Sequence, residues 1–172
     1  SDIPLLRREV HDQQIVYLDT AATSLTPRPV IESMQRYYET SHANVHRAVY
    51  VTAAEATSHY EEARRAVGAF INAPHPDDEV VFTHGTTESF NLLAKSWGRR
   101  HLTSGDVIVL TEMEHHANLV PWFQLRDEVG IEIRFLRVTD DFRLDLSQLD
   151  EILTGAKLLS VTGMSNVLGT IN

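Results

Sequence analysis

Thr83-His84-Gly85-Thr86-Thr87-Glu88-Ser89-Phe90-Asn91 follows directly on the apolar run Glu79-Val80-Val81-Phe82. A short β-branched run, a glycine, two threonines and then an amphipathic helix predict a strand–turn–helix junction. Such a junction points unpaired backbone N–H groups and two hydroxyls at one spot. The helix dipole adds roughly half a positive charge there, which suits a phosphate monoester. Two readings stand at this point: a phosphate cradle, or a turn with a threonine at the helix N-cap. The stretch is not a Walker loop, because GxxxxGK[ST] is missing, and it is not the dinucleotide fingerprint, because GxGxxG is missing.

Working outward, strands and helices alternate. Residues 79–83, 106–111, 131–136 and 158–162 read as strands. Helices are expected over 87–99, near 118–129 and across most of 144–153. Helices as connectors imply right-handed crossovers and a mainly parallel α/β sheet with helices on both faces. Upstream, residues 15–18 read as a strand, Asp19-Thr20-Ala21-Ala22 as a turn of small residues, and Pro27 and Pro29 mark the start of a helix carrying Val30, Met34 and Tyr37. Residues 41–51 read as a loop, and a further helix carries Tyr60, Ala63, Val67 and Phe70 on one face.

The 172 residues suffice for a cored domain, with 42% apolar and 23% charged residues. A net charge of −9 argues against nucleic acid or an anionic membrane as partner. No segment is apolar for long enough to span a bilayer, and the N-terminus shows no basic-then-apolar leader, so a cytoplasmic location is expected. Cysteine is absent, which excludes disulfides, thiolate metal sites and a thiol nucleophile within these residues.

Ligands of open α/β sheets gather beyond the carboxyl ends of the strands. Four motifs fall there: Asp19-Thr20-Ala21-Ala22, Gly85-Thr86-Thr87, Glu114-His115-His116-Ala117-Asn118, and Met164-Ser165-Asn166-Val167-Leu168-Gly169-Thr170. The His115-His116 pair has no HExxH or cysteine partner, and adjacent side chains diverge, so no metal site is expected. A loop histidine is ordinarily a hydrogen-bonded polar group, and Asn166 is ordinarily a turn residue. The shared placement is the stronger signal.

Taken together, Leu18-Asp19-Thr20-Ala21-Ala22, Asn44-Val45-His46-Arg47, Gly85-Thr86-Thr87-Glu88, the run from Glu112-Met113-Glu114-His115-His116 to Leu119-Val120-Pro121-Trp122, and Ser165-Asn166-Val167-Leu168-Gly169-Thr170 resemble the Suf-type (group II) cysteine desulfurases. These are pyridoxal-phosphate enzymes of fold type I in the class V aminotransferase group. The resemblance implies a fold of that type, with residues 1–50 as an N-terminal segment and 51–172 as the N-terminal part of the cofactor-binding large domain. It implies that Thr86 and Thr87 bind the pyridoxal 5'-phosphate, that His115 stacks on its ring and moves protons, and that Asn166 binds the ring's phenolic oxygen near the substrate carboxylate. Ala21 and Ala22 would line the pocket for L-cysteine, with His46 and Arg47 at its entrance. Glu88 would lie at the edge of the cofactor site. Conversion of L-cysteine to L-alanine, an enzyme-bound persulfide, a sulfur-acceptor protein, iron–sulfur cluster assembly and a homodimer are implied as well. The alternatives are a sibling class V enzyme, such as a selenocysteine lyase, aminotransferase or epimerase, and a non-catalytic fragment.

The chain departs from the family pattern in two ways. Gly163 stands two residues before the Ser165-Asn166 pair, where the family usually has histidine. The family's lysine (in Ser-x-His-Lys), its Asp-x-Ala-Gln stretch and its cysteine have no counterpart here. The two lysines, Lys95 and Lys157, read as a solvated helix position and a charged strand-edge residue. The resemblance therefore implies the N-terminal portion of a longer enzyme, inactive alone, with an open sheet edge.

Overall fold

Val107-Ile108-Val109-Leu110-Thr111 is the only five-residue run in the chain buried along its whole length within a strand, among the described residues. The structure, a computed structural model, describes residues 2–46 and 49–172. It divides into two compact units, Ser1–Phe82 and Thr83–Asn172.

In the first unit, β1 (Glu9–Val10) pairs antiparallel with β2 (Gln13–Gln14). His11 and Asp12 turn between them with φ of 53° and 59°, the left-handed geometry of a two-residue hairpin turn. Helices α1 (Arg28–Thr40), α2 (Val51–Phe70) and α3 (Pro76–Glu79) follow. Pro27 occupies the N-cap of α1 and Pro29 lies in its first turn, where a missing N–H costs nothing. The helices stand where they are expected, but the face read for α2 is not the buried one: Ala53, Ala56 and Gly68 are buried, whereas Val67 and Phe70 are exposed, because small residues let a neighbour approach closely.

The second unit holds the sheet. Helix α4 (Thr86–Leu93) runs on through a π-turn (Ala94–Gly98) into α5 (Arg99–His101). Then come β3 (Val107–Thr111), a 3-10 turn (His116–Asn118), α6 (Val120–Val129), β4 (Glu132–Leu136), α7 (Leu149–Leu153) and β5 (Ala156–Leu159). The sheet order is β4-β3-β5, with both pairings parallel. β3 is central, which explains its unbroken apolar run: it is covered on both faces. Alternate residues point to opposite sides. Ile108 and Leu110 pack with Ala94, Trp122, Leu125 and Ile131, whereas Val107 and Val109 pack with Leu136, Leu149, Ile152 and Leu153. Helices thus cover both faces, as the alternation predicts. At Gly98 a Cβ would lie 2.8 Å from Leu125 Cδ2, so glycine lets the α4–α5 run press closely onto α6.

Four predicted elements differ. Residues 15–18 are not a strand. Ile15 N–H donates to Arg8 C=O at 3.2 Å at the end of the hairpin, but residues 16–18 join no strand among the described residues, and Val16 and Leu18 are 80% and 91% exposed. Val80 is extended, but residues 80–83 join no ladder among the described residues, and Glu79 ends α3 instead. A strand exists only when a partner accepts its hydrogen bonds, and the apolar pattern cannot supply one. The helix expected over 144–153 shrinks to α7. Leu144 bridges Val138, and the Asp145 carboxylate accepts the Ser147 N–H at 2.9 Å, a turn that competes with helix. The last strand starts two residues early, at Ala156, although Ser160 N–H still donates to Val109 C=O at 2.9 Å.

Candidate active site

The carboxyl end of the central strand is where the second unit gathers its polar side chains. Gly85, with φ of 144° and ψ of 175°, ends the extended segment and stands at the N-cap of α4. That φ is a glycine conformation, and the place where a Cβ would stand has nothing within 4 Å. Among the described residues no side chain caps the first turn of α4. Its N–H groups and the exposed Thr86 and Thr87 therefore face open space.

Glu88, in the same first turn, is turned back onto His84. Its carboxylate accepts the His84 backbone N–H at 2.6 Å and lies 2.8 Å from His84 Nδ1. The backbone hydrogen bond from His84, and then the one from its ring, hold the Glu88 carboxyl below its ordinary range. Thr83 Oγ1 and Ser89 Oγ lie 2.8 Å apart and brace the turn.

Helix α4 packs against the 3-10 turn that carries the histidine motif. His115 caps that turn, its Nδ1 accepting the Ala117 N–H at 3.1 Å. On either side of His115 stand residues with no assigned role in the sequence reading. Asn118, 3% exposed, donates Nδ2–H to Glu114 Oε2 at 2.7 Å and accepts Trp122 Nε1–H at 2.9 Å and Ser160 Oγ–H at 3.0 Å. Glu114 Oε1 accepts Thr111 Oγ1–H at 2.6 Å and Thr162 N–H at 2.8 Å. These bonds fasten the ends of β3 and β5 to the histidine turn. The signal for them in the sequence is the i,i+4 spacing of Glu114, Asn118 and Trp122.

The Asn166 loop leaves the same end of β5. Ser165 is buried, and its backbone exchanges bonds with Thr170 C=O and Gly169 N–H, both at 2.9 Å. Asn172 Nδ2 donates to Thr162 C=O at 2.9 Å. Asn166 itself is exposed.

The remaining predicted residues belong to the first unit. Ala21 and Ala22 are exposed in a turn that Ala22 N–H closes on Asp19 C=O at 3.2 Å. His46, with φ of 62°, has Nε2 3.0 Å from Glu61 Oε1 and its N–H on Thr57 Oγ1 at 3.0 Å. Arg47 lies outside the described residues.

Neither lysine has the setting of a cofactor-bearing group. Lys157 Nζ lies 2.8 Å from Asp106 Oδ2, at the amino ends of β5 and β3. Five residues of strand put about 15 Å between that end and the histidine turn. Lys95 is exposed on the π-turn.

Residues 16–172 match the family model described as Aminotransferase class-V. The chain belongs to that family. Among relatives of this class-V chain, a probable cysteine desulfurase of Streptomyces coelicolor is 49% identical over 99% of it, and a cysteine desulfurase of Pectobacterium carotovorum is 46% identical over all of it. The class-V chain spans 42% of the length of each. The apo structure of a cysteine desulfurase from Thermococcus onnurineus superposes with a TM-score of 0.85 at 44% identity, covering 91% of the class-V chain and 38% of the other. The α/β class with a parallel sheet, part of a larger domain, is the fold those structures share.

The residues of the second unit fit the phosphate end of the cofactor that this family implies. An uncapped helical first turn, a glycine with open space at its Cβ position and two exposed threonines are the chemistry that a phosphate monoester would need.

Proposed function

We propose that these residues carry the cofactor-gripping part of a pyridoxal-phosphate-dependent cysteine desulfurase of the Suf type, cytoplasmic and homodimeric. It converts L-cysteine to L-alanine and passes sulfur through an enzyme-bound persulfide to an acceptor protein for iron–sulfur cluster assembly. In this reading residues 1–50 are an N-terminal segment and 51–172 open the large domain. The observation that carries the reading is the open first turn of α4 beside the histidine turn, in a chain 46–49% identical to proteins named cysteine desulfurases.

When bound, the coenzyme supplies an electron sink for the substrate α-carbon. The backbone N–H groups and hydroxyls of Thr86 and Thr87 hold its phosphate. His115 lies against the ring, and its Nε2 is the nitrogen free to hold or move a proton, since Nδ1 is engaged by Ala117 N–H. Asn166 hydrogen-bonds the phenolic oxygen and orients the substrate carboxylate. Ala21, Ala22, His46 and Arg47 are assigned to recognition of L-cysteine on the family resemblance alone. This reading also requires a lysine to anchor the cofactor and a cysteine to take sulfur; the chain has no cysteine, and it spans 42% of the length of its cysteine desulfurase relatives.

The test is an assay of the intact protein with pyridoxal phosphate, L-cysteine and a thiol reductant. Alanine and sulfide in equal amounts are expected. Keto-acid formation without sulfide, or release of selenium from selenocysteine with no turnover of cysteine, would place the chain with a sibling class V activity.

A further inference from the structure

We propose that Glu114 and Asn118 are positioning residues that keep His115 in one tautomer, with Nδ1 unprotonated against Ala117 N–H and the proton on Nε2; the consequence for turnover rests on the reading of His115 given above. A nitrogen that accepts an N–H carries no proton of its own, so the neutral ring must carry it on the other nitrogen. The 3.1 Å contact from Ala117 to Nδ1 lasts only while the 116–118 turn keeps its shape. Inside the turn that shape depends on two backbone bonds, Asn118 N–H to His115 C=O at 2.8 Å and Leu119 N–H to His116 C=O at 3.1 Å.

The side chains on either side of His115 tie that turn to the sheet. Asn118 Oδ1 already accepts from Trp122 and Ser160, so its amide cannot flip without setting donor against donor. Its Nδ2 therefore points to Glu114 Oε2. Glu114 meets three donors in all: Asn118, Thr111 and Thr162. An ionised carboxylate is acceptor-only and satisfies all three, and such charge-assisted bonds are the strong ones. No arrangement of a glutamine amide does the same, because its NH₂ would face either Asn118 Nδ2 or the Thr111–Thr162 pair. The network joins β3, β5 and α6 across one histidine, and a proton-moving imidazole needs that fixed geometry.

The experiment is a long-range ¹H–¹⁵N spectrum of the histidine side chains in labelled protein without cofactor, with His115 assigned against His116→Gln. The wild type is expected to show the Nε2–H tautomer alone. Glu114→Gln is expected to show a mixture of both tautomers, together with a shifted Trp122 indole N–H resonance that reports the broken network. A wild-type Nδ1–H tautomer would overturn the proposal. So would a pure Nε2–H tautomer in Glu114→Gln with the Trp122 resonance displaced. If Glu114→Gln does not fold, Thr111→Val removes one of the three donors to Glu114, together with the acceptor of Met113 N–H, and is read by the same criteria. The spectra need neither cofactor nor substrate. A wild type that releases no alanine or sulfide would thus sink the functional reading alone, and an unchanged tautomer would sink this proposal with turnover intact.

Discussion

Trp122 donates its indole N–H to Asn118 Oδ1 at 2.9 Å, with both side chains buried. The bond joins the main core to the polar end of the sheet, because the same indole packs against Ile108, Leu110 and Leu125. Replacing Asn118 by alanine leaves the Trp122 N–H and one face of the Glu114 carboxylate without partners. An unsatisfied buried group costs about 1–3 kcal/mol. Asn118→Ala is therefore expected to lower unfolding stability by roughly 2–4 kcal/mol, read as a lower midpoint with unchanged slope in urea. Asn118→Asp sets a second carboxylate beside Glu114 and is expected to cost at least as much.

The two halves of the proposed cofactor grip separate kinetically. In the intact protein, Thr86→Ala removes one hydroxyl from the phosphate and is expected to weaken coenzyme retention about tenfold, the equivalent of one hydrogen bond to a charged group. His115→Ala is expected to leave retention nearly unchanged and to lower kcat by about 10²–10⁴-fold, the range of general acid–base effects. Coenzyme titration and turnover measured on both variants check the division. Equal loss of coenzyme in both would contradict it.

Asp106 sets a pH dependence at the other end of the sheet. Its carboxylate accepts from Lys157 Nζ at 2.8 Å, Thr103 N–H at 2.7 Å and Thr103 Oγ1–H at 2.9 Å. The hydrogen bond from Lys157, followed by that from the Thr103 backbone, holds its pKa below the ordinary 3.8. A depressed folded-state pKa stabilises the fold above the unfolded value and ceases to do so as pH falls through the folded value. Stability measured against pH should show Asp106→Asn weaker than wild type at neutral pH, with the two converging in acid. A difference that persists below the folded pKa would contradict the assignment.

Packing on the Trp122 face makes a further expectation. Leu110 is fully buried, so Leu110→Ala should cost about 2–5 kcal/mol. Gly98→Ala brings a methyl to 2.8 Å from Leu125 Cδ2 and should cost about 1–3 kcal/mol through overpacking. Leu125→Ala in the same chain should recover part of the Gly98→Ala loss, measured as a coupling in a double-mutant cycle.

The parts of the fold legible in the sequence were those whose signal is local. The run 107–111 reads as a doubly covered strand because every residue is apolar or β-branched. The run 87–99 reads as a helix because Phe90, Ala94 and Trp97 recur at helical spacing. Residues 15–18 and 80–83 carry the same β-branched signal, yet pairing depends on a neighbour that the pattern does not encode. The candidate site divides in the same way. His115 and Asn166 stand out by type and motif. The roles of Glu114 and Asn118 rest on partners such as Ser160 and Thr162, more than forty residues on, a relation visible only once β5 lies beside β3.

The most direct test of the whole account is a crystal structure of the protein with pyridoxal phosphate. The account predicts the phosphate at the first turn of α4, held by Thr86 and Thr87, and the His115 ring against the pyridine with its Nδ1 still on Ala117 N–H. A coenzyme phosphate bound elsewhere, or a ring out of reach of His115, would contradict it.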